Sequence, residues 1–99
     1  MSFVVARPEA LATAARQLTG VGSALAARNM TSAAATTGLP PAAADVVSAL
    51  TATQFNAHAA MYQAAGSQAV FIHELLVAVL GSSGDSYMAI EAVNTIAAR

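Results

Sequence analysis

The chain has 99 residues and a formal net charge of −1, from four arginines, no lysine and five carboxylates. That balance argues against the basic patch of a nucleic-acid binder and against a polybasic membrane anchor, and the absence of cysteine excludes disulfides, thiolate metal sites and thiol nucleophiles. Apolar residues make up 57 %, but 27 of them are alanine. Alanine favours helix and adds little burial, so the composition predicts thin, closely packed helices in one domain.

Residues 1–7 form a short apolar lead-in with Phe3, Val4 and Val5. It has neither the basic start nor the continuous apolar stretch of a Sec signal peptide, so export would need another route. Pro8 and Glu9 suit a helix start: proline is favoured at the first helical position, and a carboxylate suits the positive end of the helix dipole. A first helix is predicted over about 8–35. Leu11, Leu18 and Leu25 recur every seven residues on it, with Ala14 and Val21 beside them, and form a narrow packing seam.

The stretch 36–45, TTGLPPAAAD, is the strongest punctuation. Pro40 and Pro41 cannot sit in a helix interior, and Asp45 is a good N-cap for a helix that begins at Val46. This second helix is predicted over about 46–81. Its apolar residues, including Leu50, Phe55, Met61, Tyr62, Phe71, Ile72, Leu75 and Leu76, fall on an arc of about 140°. Asn56, Gln63, Ser67, His73 and Glu74 lie outside that arc and are expected on the solvated side. Gln54, Asn56, His58, Gln63 and Gln68 interrupt the apolar stretch, which argues against a membrane-spanning helix.

Gly81, Ser82, Ser83 and Gly84 read as a flexible breaker, leaving 85–99 as a flexible tail; the alternative is a third short helix folding back. The expected fold is therefore all-α: an antiparallel two-helix hairpin over 1–84. A narrow seam cannot cover a wide arc, so the surplus apolar surface predicts a protein interface or an aggregation hazard. The row of Phe55, Tyr62, Ala69 and Leu76 is expected to face one neighbour, helix or partner, and the row of Leu50 and Phe71 the other.

Signals for chemistry are poor. His58 and His73 stand about 22 Å apart along a helix and cannot share a metal. His58 lies inside the arc and reads as an interface or core residue; His73 and Glu74 read as a solvated edge. No phosphate loop, nucleophile elbow or carboxylate pair is present. No cofactor, metal, nucleic acid or small-molecule substrate is expected, and an enzyme is the least favoured class. Tyr87 and Glu91, four apart, share one helix face.

Four features stand in order along the chain: Pro8-Glu9, the Pro40-Pro41…Asp45 turn with Val47-Ser48, the Phe55, His58-Ala59 and Tyr62-Gln63 set, and Tyr87-x-x-x-Glu91. In this order and spacing they resemble the mycobacterial PE family over essentially the whole chain. The resemblance implies a hairpin that pairs with a PPE-family protein in a helical bundle assembled in the cytosol. It also implies export by a type VII secretion system to the outside or the cell surface. Tyr87 and Glu91 would form the secretion signal, and an EspG-type chaperone would act indirectly, by binding the PPE chain. The chain would be a short PE-only member or an isolated PE domain. The partner interface is expected on Leu11, Leu18 and Leu25 and on the arc residues of the second helix. The alternatives are an amphipathic membrane-associating protein and a self-associating four-helix bundle.

Overall fold

The computed structural model describes residues 6–98. The lead-in residues Phe3, Val4 and Val5 lie outside the described residues, as does Arg99. Two helices account for nearly all of the rest: α1, Pro8–Thr37, and α2, Val46–Ala97. There is no strand among the described residues, and the two helices pack against each other as an all-α hairpin.

Contacts gather into two units, one joining residues 6–22 with 73–98 and one spanning 23–72. In the first, the start of α1 lies beside the later part of α2: a Cβ on Gly84 would meet Leu11 Cβ at 3.3 Å and the Pro8 carbonyl at 3.5 Å. Further along, His73 Nε2 is 2.6 Å from the Leu18 carbonyl oxygen. Pro8, Ala15 and Gly84 are buried here. In the second unit Gln63 Nε2 donates to Ser32 Oγ at 3.4 Å. A Cβ on Gly66 would meet the Asn29 side chain at 3.2 Å, and Ala52 and Ala59 are the buried apolar residues. Both units pair antiparallel segments.

The helix starts follow local chemistry. The Arg7 carbonyl accepts from Ala10 N at 3.0 Å and Leu11 N at 3.3 Å, which opens α1 with Pro8 in the position where its missing N–H costs nothing. At α2, Asp45 Oδ1 accepts from Ser48 N at 2.8 Å and its Oδ2 accepts from Ser48 Oγ at 2.9 Å. This is the expected N-cap. The exposed threonines do not break the helices, because hydroxyls such as those of Thr13, Thr31, Thr51 and Thr53 donate to the carbonyl four residues back.

The Ser48 N–H, and after it the Ser48 hydroxyl, hold the Asp45 carboxyl below its ordinary value of 3.8. A carboxylate whose folded value is depressed stabilises the fold above the ordinary carboxylate range, and that contribution disappears as pH falls through the folded value. Asp45→Ala should therefore melt below the parent chain at neutral pH. The gap should narrow in thermal melts taken between about pH 6 and about pH 2.

The connection is tied down by one side chain. Asn56 Oδ1 accepts from Leu39 N at 2.7 Å, and Asn56 Nδ2 donates to the Leu39 carbonyl at 3.0 Å. One amide thus satisfies both backbone groups of a residue that the two prolines keep out of helix. Asn56→Ala removes both bonds and should cost about 1–2 kcal/mol in urea denaturation.

Two expectations are corrected here. α2 does not stop at about Gly81, and residues 85–97 are not a flexible tail: the helix runs unbroken through Gly81-Ser82-Ser83-Gly84 to Ala97. The glycines cost about 1 kcal/mol each relative to alanine in a helix interior. At Gly84, however, the missing side chain lets the start of α1 approach closely, and the buried contact offsets that cost. The alternative of residues 85–99 folding back as a separate helix is excluded for 85–97 by the same continuity. α1 also ends at Thr37, two residues beyond the expected limit.

The second correction concerns the seam. The sequence pattern places Asn56, Gln63 and His73 on the solvated side of α2, yet all three are half-buried and bond to α1 or the connection. The inward positions of α2 recur in sevens: Ala52, Ala59, Gly66, His73 and Leu80 in one row, Asn56, Gln63, Val70, Val77 and Gly84 in the other. The reason is steric. The matching positions of α1 include Ala15, Gly22 and Asn29, and small side chains bring the backbones too close for large residues opposite. Apart from Leu80, what fits is alanine, glycine, valine, or a polar side chain that reaches a carbonyl or hydroxyl. The rows built on Phe55 and Phe71 are exposed, and α1 covers neither.

Candidate partner-binding surface

The large side chains of α2 lie outside this seam. Leu50, Phe55, Met61, Tyr62, Phe71, Ile72, Leu75 and Leu76 are each between 51 % and 67 % exposed. An apolar set of this number on one helix is far beyond the scattered single residues normal on a soluble surface. On α1, Leu11 and Leu18 are half-buried at the edge of the seam, and Leu25 is 39 % exposed. By length and composition alone α2 is apolar enough to cross a membrane, with an 18-residue window of mean hydropathy 1.5, none of it buried.

Near the connection the surface becomes concave. An open groove of about 440 Å³ is lined by Ser32, Ala35, Thr36 and Leu39 on one side and Phe55, His58, Ala59 and Tyr62 on the other. A second groove, about 230 Å³, runs along Leu39, Pro40, Ala42, Val47, Ser48 and Thr51 and is again bounded by Phe55. Leu39 and Phe55 line both grooves. This gives Pro40 a position in the surface that its sequence role as a helix breaker does not suggest. His58, which reads in the sequence as an interface or core residue, is not in a core: it stands exposed on the rim of the larger groove.

His73 is placed otherwise. A carbonyl oxygen only accepts, so its contact with the Leu18 carbonyl puts the proton on Nε2. The ring sits over Gly22, where a Cβ would come within 2.7 Å of Cδ2 and 2.9 Å of Nε2. His73 is thus a seam residue and not a solvated edge. Its signal in the sequence is spacing, seven residues after Gly66 and fourteen after Ala59, on small residues that hydropathy ignores. Among the described residues no group of three or more His, Asp or Glu side chains could hold a metal ion.

Tyr87 and Glu91 lie one turn apart on α2, both exposed. Tyr87 borders a shallow depression with Ser82, Ser83, Ser86 and Ile90. A phenol and a carboxylate are thereby offered on one helical face.

Residues 4–94 match the PE family. The chain belongs to the PE family. The PE family protein PE13 of Mycobacterium tuberculosis is 54 % identical to it over 98 residues, 99 % of each chain. The PE family protein PE8 of the same organism is 44 % identical over 98 residues, which span 36 % of that protein. The PE-PGRS family protein PE_PGRS33 of Mycobacterium tuberculosis is 47 % identical over 94 residues, 95 % of this chain and 19 % of its own length. The present chain thus spans nearly the whole of one relative and little more than a third or less of the other two. Pro8, Glu9, Pro40, Pro41 and Asp45, residues that carry the resemblance, all fall inside the matched range and build the helix starts and the connection.

Proposed function

We propose that this PE-family chain is a non-enzymatic subunit of an exported complex. It pairs with a PPE-family protein, which covers the outer face of α2 and completes a helical bundle. The supporting observation is the division of labour on α2: mainly small and polar residues face α1, and the large apolar ones, Leu80 excepted, remain exposed. An α1 with so few large inward residues cannot serve as their cover. In this reading Leu50, Phe55, Met61, Tyr62, Phe71, Ile72, Leu75 and Leu76 meet the partner, joined by Leu25 and the edges of Leu11 and Leu18. Tyr87 and Glu91 act as the type VII secretion signal. An EspG-type chaperone is engaged through the PPE chain, and the assembled pair leaves the cytosol for the medium or the cell surface.

Co-expression with the PPE chain encoded next to it tests this directly. The expected result is a soluble 1:1 complex by light scattering, more stable than the chain alone, which is prone to aggregate through the exposed face of α2. A chain that gains neither stability nor solubility from the PPE chain would overturn it, and a stable homodimer would replace it with self-association.

The hydropathy of α2 favours one second reading, insertion into or onto a membrane. Flotation of the chain with liposomes separates the two: a PPE-binding subunit stays at the bottom of the gradient once its partner is present.

A further inference from the structure

Within the unit spanning 23–72 the hairpin has two flanks, and they differ in chemistry. The helical period puts Phe55, His58 and Tyr62 on one side of the seam built on Ala59 and Gly66, and Ser67 on the other. On the first flank lies the open groove of about 440 Å³, with Phe55 and Tyr62 on one wall and Ala35 and Leu39 on the other. On the second flank is a groove of about 310 Å³, where the amides of Asn29 and Gln63 and the hydroxyl of Ser67 stand among the walls. Phe55, Tyr62 and Leu39 are 60 %, 59 % and 40 % exposed. No carboxylate, lysine or arginine stands between Val46 and Ile72, and none lines the first groove.

We infer that the first groove is the anchor point of the partner interface and takes one large apolar side chain from a helix of the PPE-family chain, an assignment that rests on the pairing proposed above. Charge selects the chemistry of the occupant. A charged side chain seated between Phe55 and Leu39 would meet no counter-charge, and burying an unpaired charge is costly. Area selects its extent. An aromatic side chain buries about 150–250 Å² when fully covered, so Phe55 and Tyr62, at 60 % and 59 % exposed, keep roughly 90–150 Å² each to give up. Even with Leu39 that falls well short of the roughly 800 Å² that each partner contributes to a stable interface. The groove is therefore one concave point of a larger contact, the setting in which binding energy concentrates, and the other exposed residues of α2 supply the rest. Shape selects a helix over a free ligand. Small-molecule pockets enclose about 70–90 % of their ligand, whereas this groove is open along one side; a side chain delivered by a helix brings its own cover. On the opposite flank an apolar side chain would strip water from the amides without replacing their hydrogen bonds, so that groove stays outside the contact.

Ala35 is exposed on α1 and lines the groove, so Ala35→Trp fills the groove from within and leaves the seam intact. Phe55→Ala removes a wall, and Ser67→Trp fills the opposite groove as the control. Each variant is co-expressed with the PPE chain encoded next to it and with a tagged copy of the parent chain. Mass spectrometry reads the ratio of variant to parent in the purified complex, normalised to their ratio in the lysate. Ala35→Trp and Phe55→Ala should each be depleted at least tenfold, and Ser67→Trp should stay within twofold of the parent. Parent-like incorporation of Ala35→Trp or of Phe55→Ala overturns the anchor, as does depletion of Ser67→Trp as strong as that of Ala35→Trp. Far-UV circular dichroism checks that each variant is as helical as the parent; where Ala35→Trp is not, Phe55→Ala decides alone. Phe71→Ala in the same assay keeps the two readings apart. If it is depleted while the groove variants are incorporated, the pairing stands and the anchor falls; if the parent itself forms no complex, both fall.

Discussion

Phe71→Ala should weaken the complex with a PPE-family partner by about 3–5 kcal/mol, the cost of deleting a fully buried phenylalanine ring. The same change should leave the isolated hairpin nearly as stable as before. The ring is 60 % exposed in this chain, so α1 does not rely on it. Whatever stability it confers must come from a cover supplied by another molecule. Gln63→Ala should behave in the opposite way. Its Nε2 reaches Ser32 Oγ inside the hairpin, so its loss should lower the stability of the hairpin by about 1 kcal/mol and act on the complex only through that. Denaturant titrations of both variants, with and without partner, separate the two surfaces. A Phe71→Ala chain that binds its partner with unchanged affinity would show that the outer face of α2 is not the interface.

The contrast between those two residues shows where sequence reading succeeds and where it stops. The two helices, the proline connection, the Asp45 cap and the apolar arc are all legible, because each rests on a local rule. Proline removes a donor, aspartate accepts from the first turn, and apolar residues recur at the helical period. The inner face of α2 is not legible by the same means. Periodicity of hydropathy points to the largest apolar residues, and in this hairpin those are the residues turned away from α1. The inner face consists of Ala52, Ala59 and Gly66, with Asn56, Gln63 and His73 among them. Hydropathy ranks such residues last for a core. Their spacing of seven is present, but it only becomes meaningful once α1 is known to offer small residues opposite.

The end of α2 escapes sequence reading for a related reason. Gly81-Ser82-Ser83-Gly84 has the composition of a linker, and nothing local shows that Gly84 is small because Leu11 and Pro8 press against it. A glycine selected for close approach and a glycine selected for freedom look alike in one sequence. The partner surface is legible to a different degree: exposure of the arc is a structural fact, and its occupant is a proposal that rests on family membership and on the lack of cover.

Tyr87→Ala and Glu91→Ala should each abolish export through a type VII system while leaving complex formation and its melting temperature nearly unchanged. The continuity of α2 sharpens this expectation. Tyr87 and Glu91 belong to a formed helix, one turn apart, so a receptor meets a fixed pair and has little ordering entropy to overcome. The phenol supplies an aromatic anchor, and the carboxylate supplies a charged acceptor whose hydrogen bonds are stronger than those between neutral groups. Glu91→Gln separates shape from charge: a receptor that uses the carboxylate loses this variant too, whereas one that needs only a polar side chain exports it. Residues 85–97 are exposed throughout, so truncation of Tyr87 leaves no cavity in a packed core and the bundle should melt as before. The opposing possibility is that Tyr87 serves the fold alone. Then Tyr87→Ala lowers the melting temperature, Glu91→Ala changes neither property, and export falls only as far as stability does. Secretion and thermal melts of all three variants in the complex decide between these outcomes, and normal secretion of Glu91→Ala would remove the signal role from that carboxylate.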